Sequence, residues 1–461
     1  MLTYSFADLQ GESMYAHLYK CIKKDITNGV LHAEEKLPSK RMLAKNLGIS
    51  LITVENAYAQ LVVEGYIYSQ PKRGYYVARI EQQPLPVKSE REAAPALKPQ
   101  TNTPGVSFAK SSVPPDTFPY NIWARLLRHT LTTADEHALI SDTSAGGVLP
   151  LRQALARHLY QFRGLNIAPE QIIIGAGTQT LYNLIVQLLG RSHVYALENP
   201  GYPQLAAAYQ ANDVFCRYLP MDAQGIRADV LENSGADILH ISPSHQFPTG
   251  IVMPVSRRYE LLRWAAKKSS RYIIEDDYDC EFRLFGKPIP PLQSIDTEEK
   301  VIYINTFSKT LAPTFRISYM LLPPHLASLF YDKLGFYSCT VSNFEQFTLA
   351  KFIEDGYFER HINRMRTYYR SKRDRLLQYL TQSDAAPALT VEGEDSGLHF
   401  LLHLATDAKD SRLVQFLSDY YHEKVGDSSH TMLMNYTDLA DDKLYPALDT
   451  LFTVLKPYLK L

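Results

Sequence analysis

Apolar positions near the start of the chain repeat at helical spacing and then give way to alternation. Met14, Leu18, Ile22 and Ile26 fall three to four residues apart and predict one amphipathic helix. Ser39 follows Pro38 and is placed to cap a second helix with Leu43 and Leu47 inward, which Gly48 would end. Ser50 would cap a third helix with Val54, Ala57 and Leu61 on its inner face, closed by Gly65. The segment YIYSQPKRGYYVARI alternates around a Lys72-Arg73-Gly74 tip and predicts a hairpin. Two short helices joined through Gly48, Ile49 and Ser50 have helix-turn-helix spacing, and the hairpin would be its wing. From residue 107 the pattern changes. Short β-branched runs (QIIIGAG, HVYALE, ADILHIS, RYIIEDD, VIYINTF) alternate with amphipathic stretches. Such runs are buried parallel strands, so the expectation is a large α/β domain. Between the zones, residues 81–106 are rich in Pro, Ala, Lys and Glu without apolar periodicity, which predicts an exposed linker. The expected organisation is 12–80, a linker over 81–106, and 107–461.

Composition changes this picture little. The chain has 461 residues, 45% hydrophobic and 21% charged, with a net charge of −1. That supports more than one globular unit and no global attraction to polyanions. The first 80 residues carry ten Lys and Arg against seven Asp and Glu, a local excess whose sign suits phosphate contact. Cys21, Cys216, Cys280 and Cys339 form no C-x-x-C pair, so no metal site is expected and the thiols read as reduced. The N-terminus lacks a signal-like apolar run and no stretch is long enough to span a bilayer; the expectation is a cytoplasmic protein without a membrane partner.

Candidate chemistry lies where strand-like runs end. GAGTQT (175–180) joins a strand to a helix, a small-residue turn that can offer backbone N–H groups to an anion. ENPGYP (198–203) puts Tyr202 in a tight turn, where it could stack on a flat ring or simply pack. SPSHQFPTG (242–250) is a further turn after a strand. YIIEDDYDCEF (272–282) ends a strand in acids; a buried one there could pair with a protonated pyridine nitrogen. INTFSKTLAPTFRI (304–317) brings Lys309, 33 residues after Asp276.

Two resemblances follow from these strings. LPSKRMLAKNLGISLITVENAYAQLVVEGYI resembles the signature of GntR-type winged-helix regulators. That likeness implies a double-stranded DNA operator as partner, with the recognition helix in the major groove. Arg41 would touch the backbone or groove edge, Ser50 and Thr53 would sit at the helix N-terminus on phosphate, and Lys72 and Arg73 would track the backbone from the wing. Asn56 could read adenine or be merely solvated. Leu51 and Glu55 stand where many GntR proteins carry arginine. The motif order from 107 onward resembles fold-type I pyridoxal-5′-phosphate (PLP) enzymes and the MocR branch of the GntR regulators. It implies that Lys309 holds the PLP aldehyde as a Schiff base, Asp276 pairs with the ring nitrogen and Tyr278 with the ring hydroxyl. Gly177, Thr178 and Gln179, with Thr306 and Arg316, would hold the phosphate. Tyr202 would stack on the ring or line the effector pocket, and His245 and Gln246 lie beside the ring hydroxyl. The combined resemblance implies a PLP-dependent DNA-binding regulator, a homodimer, head-to-tail in arrangement, answering to an amine, an amino acid or PLP itself. Physiological turnover is not implied, although transaminase half-reactions could persist. The alternative is a working aminotransferase with an accessory DNA-binding domain.

The effector question has its own signal. Aminotransferases typically hold the substrate carboxylate with an arginine in the C-terminal small domain. Here the last arginine is Arg412, and VGDSSHTMLMNYTDLADD (425–442) contains none. Gln204 follows the Pro-Gly-Tyr turn where a basic residue could sit, and His430 would substitute only when protonated.

Overall fold

The computed structural model describes residues 2–6, 9, 11–80, 113–114, 117–284, 289–395, 397–406, 420, 430–437 and 441–459. The chain divides into two compact units, Met1–Asn102 and Thr103–Leu461. The expected linker over 81–106 lies outside the described residues, as do Arg412 and residues 425–429 and 438–440.

In the first unit, helices α1 (Met14–Thr27), α2 (Lys40–Leu47) and α3 (Leu51–Val63) precede strands β1 (Ile67–Gln70) and β2 (Gly74–Val77). Each start has a local cause. The Ser39 hydroxyl accepts from Met42 N at 3.3 Å and the Ser50 hydroxyl accepts from Thr53 N at 3.1 Å, satisfying helix N–H groups that have no partner within the helix. Gly48 ends α2 at φ 69°, a left-handed conformation that glycine adopts without steric penalty. Leu18, Ile22, Leu43, Val54, Ala57, Tyr58 and Leu61 make one small core with Ile67 and Val77 of the hairpin.

The second unit is built on an eight-stranded sheet in the order β3-β10-β9-β8-β7-β4-β5-β6. Its strands are β3 (Ile172–Gly175), β4 (Tyr195–Asn199), β5 (Cys216–Asp222), β6 (Gly225–Ile226), β7 (Ile238–Ile241), β8 (Tyr272–Asp276), β9 (Val301–Thr306) and β10 (Ser318–Leu321). Strands β5, β4, β7, β8 and β9 run parallel. Strand β10 is antiparallel to both β9 and β3, so β3 points the same way as β9. A second sheet, β11 (Leu389–Glu392), β12 (His399–Leu404) and β13 (Thr431–Asn435), is antiparallel. The long helix Tyr357–Gln382 leads to it. Apolar strands buried on both faces explain the continuous Ile, Leu and Val runs. This arrangement brings the C-terminal ends of β3, β4, β7, β8 and β9 to one edge of the large sheet, where open α/β sheets place their ligands.

Candidate functional site

Five strand ends deliver the side chains. Asp276 closes β8. Its Oδ2 accepts from the Tyr182 hydroxyl at 2.6 Å and lies 3.6 Å from His240 Nε2, while Tyr209 meets the other His240 nitrogen at 2.7 Å. Its Oδ1 is buried with no hydrogen-bond partner. An acceptor held rigidly on one oxygen and bare on the other suits a protonated ring nitrogen.

Lys309 sits three residues beyond β9. Burial pushes its ammonium below the ordinary lysine range, against the opposing charge of Asp279. That favours the neutral, nucleophilic amine. Thr306, at the end of β9, accepts from Ser318 Oγ at 2.8 Å and from Ser308 N at 3.1 Å, which fixes the turn carrying the lysine. Arg316 follows in a left-handed conformation, φ 50°.

At the end of β3, Gly177 caps the helix Thr178–Leu189 with φ 87°. A Cβ at Gly177 would collide with the Arg316 guanidinium, so the bare backbone and the arginine are closely opposed. Together they form a cradle of helix N–H groups and a forked cation, the chemistry that holds a phosphate. Thr178 reaches the Tyr182 hydroxyl one turn on, and Gln179 is exposed.

Tyr202, after β4, is partly exposed beside Phe247, their rings edge to face at 5.7 Å. Burial and the Asp276 charge raise its hydroxyl pKa. Tyr278 is held well above the usual tyrosine range, first by burial and then by Asp279. Its hydroxyl lies 3.2 Å from His245 Nδ1, which donates to Asp279 Oδ2 at 2.8 Å. Gln246 departs from the expectation of a contact beside the ring hydroxyl. Its amide nitrogen donates to the Pro200 and Phe247 carbonyls, and its oxygen accepts from Thr249, so the side chain is spent on folding the turn.

Four participants escaped the sequence reading. Tyr182 and His240 brace Asp276. Glu198, its carboxyl pushed up to about 8 by burial, accepts from Ser242 N and the Gln246 amide. The His399 ring on β12 lies 4.5 Å from that of His245, tilted by 34°, and is driven well below the usual histidine range, first by burial, then by His245 and Lys309. A histidine within the apolar run ADILHIS was the one available sign for His240.

In the first unit Arg41, Ser50, Asn56, Lys72 and Arg73 are exposed, and Thr53 is half-buried against the Ser50 hydroxyl at 2.8 Å. Lys72 has φ 62° at the hairpin tip. Glu55 turns back to Lys40 at 3.5 Å. Among the described residues no helix is long and apolar enough to cross a membrane, and no three His, Cys, Asp or Glu side chains gather as a metal site would require.

Comparison with known proteins agrees with both halves. Residues 14–77 match the model for bacterial regulatory proteins of the gntR family, and residues 129–425 match that for aminotransferase class I and II. An uncharacterised HTH-type transcriptional regulator of Bacillus subtilis, YhdI, is 38% identical over 88% of this chain and 86% of its own. The probable rhizopine catabolism regulatory protein MocR of Rhizobium meliloti is 30% identical over 87% and 83%. Among solved structures, the Pyrococcus horikoshii kynurenine aminotransferase aligns with a TM-score of 0.66 at 26% identity, over 77% of this chain and 92% of that one.

Proposed function

Since the chain belongs to the MocR-type branch of the gntR regulators, a DNA-binding domain fused to a PLP-binding domain of aminotransferase fold, we propose that occupancy of the edge around Asp276 and Lys309 sets its affinity for an operator. The observation that carries this is the presence, in one chain, of a capped helix-turn-helix and of strand-end residues whose chemistry suits PLP. The bare Asp276 Oδ1, the bare backbone at Gly177 beside Arg316, and the neutral-leaning Lys309 all fit PLP. Bound there, the cofactor supplies an aldehyde for an amine and a ring that accepts electrons.

The residues divide the work. Asp276 holds the ring nitrogen protonated, with Tyr182 and His240 fixing its orientation. Tyr278 and His245 would meet the ring hydroxyl, and Tyr202 would cover the ring. Gly177, Thr178 and Arg316 take the phosphate, Gln179 lies at its margin, and Thr306 secures the turn carrying Lys309. In the other unit Arg41, Lys72 and Arg73 meet the DNA backbone, Ser50 and Thr53 present the start of α3, and Asn56 reads a base. The protein works in the cytoplasm as a head-to-tail homodimer, each DNA-binding unit served by its partner's large unit.

The test is operator affinity for apo protein, PLP-loaded protein, and PLP-loaded protein with amines or amino acids. Affinity should differ between at least two of these states by fivefold or more. Identical affinity in all of them rejects the reading.

A further inference from the structure

The small sheet turns two different faces to its surroundings. Phe400, Leu402, Leu404, Met432, Met434 and Tyr436 join the main core. The alternate positions pair across the strands as His399 with Asn435 and Leu401 with Leu433. Leu401 and Leu433 pack with Tyr420 and Phe247. Phe247 in turn lies 5.7 Å from the Tyr202 ring, 6.4 Å from Tyr278 and 5.3 Å from His399. The wall adjoining the cofactor cage is therefore leucine and aromatic, with one histidine in it.

Among its described residues that wall carries no lysine or arginine. Residues 389–406 and 430–437 contain no Lys or Arg, and they do contain Glu392, Glu394 and Asp395. Arg373 of the helix Tyr357–Gln382 is buried but engaged by Asp374, Asp395 and the Glu394 carbonyl. Asp279 adds a negative charge behind His245. His399 hydrogen-bonds the Pro248 carbonyl, and its Nε2 is buried without a partner. A neutral histidine with a bare nitrogen accepts a hydrogen bond and repels an anion.

We propose that the effector read at this site is a primary amine with an apolar body and no carboxylate, its body lying against Leu401, Leu433 and Phe247. This rests on the reading of the cage as a PLP site and names the ligand class that site selects. A carboxylate placed there would be desolvated with no lysine or arginine among the described residues of the wall to meet it, while an apolar body would be buried at a gain.

The experiment uses PLP-loaded full-length protein and matched pairs: 2-phenylethylamine against phenylalanine, and 3-methylbutylamine against leucine. Visible absorbance and titration calorimetry give two independent readouts. Each amine should half-saturate at a concentration at least tenfold below that of its amino acid. Leu433→Arg should narrow or reverse that ranking by tenfold, because it supplies the missing cation. Leu401→Arg, on the cross-strand position, repeats the test should the first variant fail to fold. An amino acid that binds as well as its amine in the unaltered protein overturns the proposal, as does PLP-loaded protein that responds to neither. Protein that takes up no PLP at all defeats the underlying reading, and the proposal with it.

Discussion

At the scale of single residues, the site depends on groups whose ordinary states are disturbed by burial. Lys309 should carry the pyridoxyl group after borohydride reduction, and peptide mass mapping locates it; a label on any other lysine contradicts the assignment. Asp276→Asn removes the charge opposite the ring nitrogen. PLP retention, followed by equilibrium dialysis, should weaken by tenfold or more, equivalent to about 1.4 kcal/mol. Glu198 gives a pH signature of definite sign. Its carboxyl is raised by burial from 4.5 to about 8, so the protonated form is favoured by folding. The stability it contributes is complete below pH 4.5 and is lost as pH rises through 8. The unfolding temperature of the unaltered protein should fall between pH 5 and 8 relative to that of Glu198→Gln. Parallel curves for the two proteins would show that this carboxyl ionises as freely folded as unfolded.

At the scale of elements, the proposed DNA contacts fall on α2, α3 and the β1–β2 tip. Replacing Arg41, or Lys72 and Arg73 together, by alanine should weaken operator binding. The slope of log affinity against log salt should flatten by roughly 0.9 for each phosphate that the variant no longer neutralises. The cofactor spectrum should stay unchanged. An unaltered salt slope in both variants would place the DNA-binding surface elsewhere. The same elements illustrate what a sequence discloses. Ser39, Gly48 and Ser50 act on backbone groups within four residues of themselves, so the helix ends could be read directly. The strand ends at Asp276 and Thr306 were legible for a similar reason: apolar runs stop where the sheet stops. The insertion of antiparallel β10 between β3 and β9 was not, because pairing between residues 175 and 318 leaves no local trace. His399 was invisible for the same reason, since its meaning comes from His245, 154 positions away. Gln246 misled because a polar residue in a site-forming turn reads the same whether it faces the ligand or the turn's own carbonyls.

At the scale of the whole molecule, the proposed homodimer predicts a solution mass of twice 52.4 kDa. Light scattering at micromolar concentration measures it, and a monomeric mass that persists with PLP and operator bound would remove the exchange between partners. Cofactor binding should also raise the unfolding temperature, since a ligand at a hundred times its dissociation constant contributes about 2.7 kcal/mol to the folded state. The Oδ1 of Asp276, which has no protein partner, is an acceptor that bound cofactor would engage. A protein whose folded state is stabilised by its cofactor is least secure when the cofactor is scarce, and cellular proteases remove what unfolds. Scarcity would then lower the number of regulator molecules as well as their occupancy. The cell's vitamin supply would be recorded twice, in how each copy behaves and in how long each copy survives.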